Sequence, residues 1–224
     1  MKPSRLEQLS DSIFAIAMTI LVFEIRVPEV ASHISNAQLW HSIKHILPSI
    51  YGYILSFSML FTYWRAHHFF VSVYAKNIDV KLVNINALFF LLVGLTPFSA
   101  SLIGKYTENQ ISIIAFGINT ILIGLCLYWM RSYVFRSEHI KNIEVSRREI
   151  NHGTIRTLVP VFSAILAIAL SLISTKISLI LFTFAVIFNF SKTSTTFFNK
   201  FVKIIVIIFY GTKKKHLYEY EDEI

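Results

Sequence analysis

Long apolar stretches alternate with short polar ones along the whole chain. Six stretches approach the roughly 20 mostly apolar residues a helix needs to cross a bilayer. They lie at about 10–26, 46–64, 82–103, 111–133, 155–174 and 177–196. A further run, FVKIIVIIFYG at 201–211, gives roughly 15 Å of helix, too short to cross. It reads as an interfacial helix or an extension of the sixth span, followed by the acidic end EYEDEI. The expected fold is therefore an all-α membrane protein with six transmembrane helices. Residues 1–196 form the membrane domain and residues 197–224 an interfacial segment and charged tail.

Composition supports membrane over water. Hydrophobic residues make up 54% of 224 positions and charged residues only 15%, with a mean hydropathy of +0.59. Soluble domains carry about 25% charged residues. The net charge of +8 would suggest nucleic acid in a soluble protein, but here it reports orientation. With the N-terminus inside, the inner segments hold Lys2 and Arg5, three Lys/Arg between Arg65 and Lys81, six between Arg131 and Arg156, and six between Lys192 and Lys215. The outer segments hold Arg26, Lys44, Lys105 and Lys176. The 17-to-4 split predicts cytoplasmic N- and C-termini and no nucleic-acid partner.

The first apolar stretch, RLEQLSDSIFAIAMTILVFEIRVP at 5–28, has a polar threshold. Ser4 and Glu7 have capping-box spacing and Pro3 blocks helix upstream, so the helix is expected to start at Ser4. At about 100° per residue, Arg5, Leu9, Ser12, Ile20 and Phe23 all fall within roughly 40° of Ile16. This stripe is bulky and apolar, with a basic mouth. Asp11 sits about 140° away, and Ser10 about 120° away on the other side, beside the small Ala15 and Ala17. The Ser10–Asp11 pair either points into the bundle toward donors or lies at headgroup level, where a carboxylate in the first turns suits the helix dipole.

Other polar groups enter the spans from the same side. The second ends in FTYWRAHHFF, where Trp64, His67 and His68 offer N–H donors or form an interfacial aromatic belt. Adjacent histidines do not share a helix face, so no metal site is expected there. Asn84 and Asn86 open the third span, and Asn119 lies deep in the fourth as helix-bridging glue. The single Cys126 sits in an apolar run, a packing position that excludes a disulfide framework. There is no HExxH, no GxSxG and no phosphate loop, and the acids within the spans are Asp11 and Glu24. The chain reads as a non-enzyme without a cofactor.

The first helix resembles the signature of the transmembrane protein 175 family, the endosomal and lysosomal potassium channels and their bacterial relatives. That signature is Arg, three variable positions, then Phe-Ser-Asp; here it reads Arg5-Leu-Glu-Gln-Leu9-Ser10-Asp11, with Leu9 in place of Phe. The likeness continues through YWRAHHFF and LVNINALFFLLVGLTPFSA, covering about residues 5–103. It implies a bacterial, single-repeat form: a potassium-preferring cation channel of the plasma membrane, assembled as a homotetramer around its first helices, with no P-loop or TVGYG filter. Family pore positions carried over are Ile16, Ile20 and Phe23, with Thr19 just before the middle layer and Arg5, Leu9 and Ser12 at the mouth. The resemblance also implies that Arg5, Ser10 and Asp11 form a network with Trp64, His67 or His68, and Asn84. The partners implied are potassium ions, passing transiently with no resident metal, the lipid bilayer and further copies of the chain. The alternatives are a non-transporting membrane scaffold, a secondary transporter using the Gly94–Pro97 interruption, or a proton-permeable pore with His67 and His68 as the titrating groups.

Overall fold

The computed structural model describes residues 3–28, 35–140 and 147–191, which form helices and short connections with no β-strand among them. The order is α1 (Pro3–Ile20), a 3-10 turn (Leu21–Glu24), α2 (Asn36–His45), α3 (Leu47–Phe69), a π turn (Phe70–Tyr74), α4 (Val80–Gly94), α5 (Thr96–Lys105), α6 (Gln110–Arg136), α7 (Arg147–Leu170) and α8 (Thr175–Phe190).

Helix starts follow local chemistry. Ser35 and Gln38 form a capping box on α2. Asp79 accepts from the Leu82 amide at 2.8 Å to cap α4, and Asn109 accepts from Ile111 at 2.9 Å to cap α6. Pro48 and Pro97 sit in the first turns of α3 and α5, where a missing N–H loses nothing. The capping box expected at Ser4 and Glu7 does not form. Helix α1 already includes Pro3 and Ser4, and the Glu7 carboxylate is turned toward His68 of α3 and Ser72 of the π turn instead.

Four segments are long and apolar enough to cross a membrane: Pro3–Glu24, Val80–Lys105, Gln110–Arg136 and Ile150–Leu170. Helices α2 and α3, bent by 44° at Ile46, make a fifth if taken together. The expected sixth span at 177–196 meets α8, which is apolar but only 16 residues long. Residues 192–196, the run at 201–211 and the acidic tail lie outside the described residues.

The helices close into one bundle. Helix α1 packs on α3 and α4, α3 on α5, α4 and α5 on α6, α6 on α7, α7 on α8, and α8 returns to α3. Leu6, Ser10, Phe14, Ala17 and Leu21 are the buried face of α1, at spacings of three and four that make one side of a helix. Phe14 tilts against Phe89 of α4 at 5.9 Å between centroids. A second core gathers Phe116 of α6 and Phe182 of α8, edge to face at 5.0 Å. Where α3 meets α5, a Cβ on Gly52 would stand 3.0 Å from the Gly104 Cα, so two glycines let these backbones touch. The α4–α5 break at Leu95 is held by Asn119, whose amide donates to Thr96 at 3.1 Å and Ser99 at 3.2 Å.

Candidate functional site

Helix α1 is held by its polar threshold. The Ser10 hydroxyl lies 3.0 Å from His67 Nδ1, and His67 Nε2 lies 2.6 Å from Asn86 Oδ1. The Asn86 amide nitrogen donates to the Leu82 carbonyl at 2.9 Å, which places its oxygen toward the imidazole. The proton assignments follow from that orientation. An amide oxygen only accepts, so His67 Nε2 carries the hydrogen, Nδ1 accepts, and Ser10 donates. The bonds run one way, from α1 through α3 to α4. Ser10, His67 and Asn86 are buried, and the imidazole stacks on Phe89 at 5.0 Å with 8° between the rings.

A second layer runs beside the first, nearer the surface of the isolated chain. Trp64 Nε1 donates to Asp11 Oδ1 at 2.8 Å, and the indole stacks on His68 at 5.6 Å. His68 Nδ1 lies 2.8 Å from Glu7 Oε1, which also accepts from Ser72 at 2.6 Å. At the other end of the helix, Lys105 of α5 approaches Glu24 at 3.8 Å. Helix α1 is therefore tied at both ends and is free along one side.

That free side is the stripe. Arg5, Leu9, Ser12, Ile16, Thr19, Ile20 and Phe23 are all exposed, with Ile16 58% and Phe23 75% accessible. The change from α to 3-10 winding at Leu21 preserves the alignment. At three residues per turn Phe23 eclipses Ile20 rather than rotating away from it. The Thr19 hydroxyl bonds to its own helix, at 2.8 Å to the Ala15 carbonyl and 2.9 Å to that of Ile16. Ser12 does the same with Gln8 at 2.9 Å.

The structure brings Ser10, Asp11, Trp64, His67 and His68 together around α1. Arg5 is exposed at its start and Asn84 stays outside the network. The amide that reaches His67 is Asn86. From Leu82, Ile85, Asn86, Phe89 and Val93 fall within about 60° of one direction, whereas Asn84 falls roughly 200° away. The inward stripe of α4 was the signal that separates the two asparagines. Glu7 and Ser72 were also missed, because Glu7 fitted a cap and Ser72 lies in a π turn.

Residues 5–97 match the family model described as endosomal/lysosomal potassium channel TMEM175. A potassium channel of Chryseobacterium sp. (strain P1-3) is 31% identical over 172 residues, which span 76% of this chain and 83% of that one. The chain belongs to the TMEM175 family. It is a bacterial-type TMEM175 protein and a multi-pass membrane protein. The fold agrees with the crystal structure of a lysosomal potassium-selective channel TMEM175 homolog from Chamaesiphon minutus, at a TM-score of 0.71 and 24% identity. That match covers 84% of this chain and 95% of the other. The endosomal/lysosomal proton channel TMEM175 of Mus musculus is 26% identical over 161 residues, 68% of this chain but 32% of the mouse protein.

Proposed function

We propose that this TMEM175 protein is a potassium-preferring cation channel of the bacterial plasma membrane. In this reading six spans leave both termini in the cytoplasm, and copies assemble as a homotetramer with their α1 helices around a central pore. The supporting observation is the two-sidedness of α1: one face is locked to α3 and α4, while the opposite face leaves Ile16, Ile20 and Phe23 uncovered. One such helix cannot enclose a channel, so the faces must meet across a symmetry axis.

Rings of Ile16, Ile20 and Phe23 offer an ion no oxygen ligands. A tight ring dewets and blocks, acting as a hydrophobic gate. A wider ring passes ions that shed part of their water, which costs potassium less than sodium. Preference for potassium would then be modest, without the carbonyl cage of a P-loop filter. Arg5, Leu9 and Ser12 form the cytoplasmic mouth, and Thr19 sits on the exposed face before the Ile20 ring. Asp11 and Ser10 aim the helix and do not contact the ion. Residues 1–196 would be the channel domain, with 197–224 as an interfacial segment and charged tail.

The test is potassium flux into liposomes holding the purified protein, with sodium as the comparison, for wild type and Ile16→Asn. Wild-type flux that rises or loses ion preference in Ile16→Asn is the expected result. Silence in both from correctly folded protein would favour the scaffold reading. The mouse relative's description as a proton channel supports one second reading, proton permeability of the same pore. His67 would not carry protons along it, because the ring is buried on the side of α1 away from the stripe. A pH-sensitive dye in the same liposomes separates proton from potassium flux. A transporter would need the α4–α5 break to line a site, but Thr96 and Ser99 are occupied by Asn119.

A further inference from the structure

A cavity of about 410 Å³ lies away from α1, between α3, the π turn, α6, α7 and the end of α8. Three of its lining residues are Arg65, Arg131 and Arg156, and among the described residues no Asp or Glu lines it. Among the described residues none of the three arginines pairs with a carboxylate. Each instead donates to a backbone carbonyl: Arg65 to Asn189, Arg131 to Ile150 and Arg156 to Ser191, the last at 3.2 Å. The Nε atoms of Arg131 and Arg156 are buried with no hydrogen-bond partner. Three like charges gathered at a low-dielectric wall, with no counterion among the described residues, are costly, and a buried guanidinium donor left unmade adds to that.

The arginines are also held in place. Arg131 is only 6% exposed, with Tyr74 and Phe135 5.1 and 5.6 Å from its guanidinium carbon. Its guanidinium lies against Gly153 of α7, where a Cβ would come within 2.5 Å of Nη1. Arg65 is braced over the Phe190 ring at 5.7 Å. Braced guanidinium groups lining one space suit a tetrahedral oxyanion, because each carries further N–H donors beside the one it gives to the backbone. The cavity is set where α3, α6 and α8 end and α7 begins, with the exposed Phe69 at its edge. Basic pockets between helices at this level suit phospholipid head groups.

We propose that this cavity binds a phosphate group on Arg65, Arg131 and Arg156, carried by an anionic phospholipid or by free phosphate. The site is separate from the α1 stripe and does not depend on whether the stripe conducts.

The test uses the full chain purified in neutral detergent. Retention of dioleoylphosphatidylglycerol and dioleoylphosphatidylcholine is read by native mass spectrometry, and melting temperature is followed with each lipid and with inorganic phosphate. Wild type should hold phosphatidylglycerol more tightly than phosphatidylcholine, or be stabilised by millimolar phosphate. Arg65→Gln/Arg156→Gln should weaken that binding by roughly 10- to 30-fold, at about 1 kcal/mol per arginine. Its unliganded melting temperature should hold or rise, since a like-charge repulsion is removed. Gly153→Ala, which displaces the Arg131 guanidinium without changing charge, should weaken binding too. Stabilisation by phosphatidylglycerol alone identifies a lipid, and equal stabilisation by inorganic phosphate identifies a free anion. The proposal is overturned if phosphatidylglycerol and phosphatidylcholine are held equally and phosphate has no effect, or if the double variant binds as wild type does.

Discussion

His67 uses both ring nitrogens, and this fixes the direction of the polar chain through α1, α3 and α4. Removing one member strands its neighbour inside the bundle, at about 1–3 kcal/mol for a buried group left unpaired. Ser10→Ala and Asn86→Leu should therefore lower the melting temperature of the detergent-solubilised protein, while Asn84→Leu, on the exposed side of α4, should leave it nearly unchanged. Equal losses at 84 and 86 would contradict the hydrogen-bond assignment. Outside the spans, Asp79 gives a pH-dependent contribution. Burial pushes its carboxyl up, but hydrogen bonds from Tyr133 and the Leu82 amide, with His139 3.8 Å away, outweigh burial and hold it below the ordinary value. The unfolded chain then binds the proton more readily than the folded one. The stabilisation is complete above the ordinary carboxylate value of about 3.9 and is lost as pH falls through the lower folded value. Melting temperature measured from pH 7 down to 3 should fall less in Asp79→Asn, which keeps a capping side chain but cannot ionise.

At the scale of elements, α1 is specified twice, by a face that packs and a face that does not. Asp11→Ala removes the Trp64 bond yet leaves Ile16, Ile20 and Phe23 intact. It should reduce assembly, read by size-exclusion elution, or total flux, more than it changes the potassium-to-sodium ratio. The α3–α5 contact is less forgiving. Gly52→Val would drive a side chain into the Gly104 backbone, which has no rotamer to yield, and should cut the yield of folded protein sharply. Gly94→Val, where an added Cβ meets nothing within 4 Å, is the control. The stripe on α1 was legible because helical periodicity alone collects Arg5 through Phe23, and the 3-10 turn happens to keep that register. The four long apolar helices were legible from length. The choice of Asn86 over Asn84 required the inward direction of α4, which apolar residues all around the helix obscure. Glu7 was misread because a capping box and a cross-helix tie use the same residue at the same spacing. The basic cavity was invisible, since Arg65, Arg131 and Arg156 lie far apart in sequence and each reads as an ordinary inside-loop charge.

Across the whole molecule, the bundle buries Phe14, Phe89, Phe116 and Phe182 and leaves long apolar faces outward, including Ile16, Phe98, Ile111 and Ile180. Most such faces suit lipid. The α1 face differs in having a charged residue at one end, a hydroxyl at Thr19 and tethers on its opposite side. In the proposed tetramer this face lines the ion path. The most direct measurement is thiol block of potassium flux in liposomes, with Cys126→Ser as background and a single cysteine placed by Ile16→Cys or by Ile180→Cys. A charged methanethiosulfonate reagent should stop or strongly reduce flux through Ile16→Cys and leave Ile180→Cys unaffected. Full potassium flux through modified Ile16→Cys, with labelling shown complete by mass, would contradict a pore along α1.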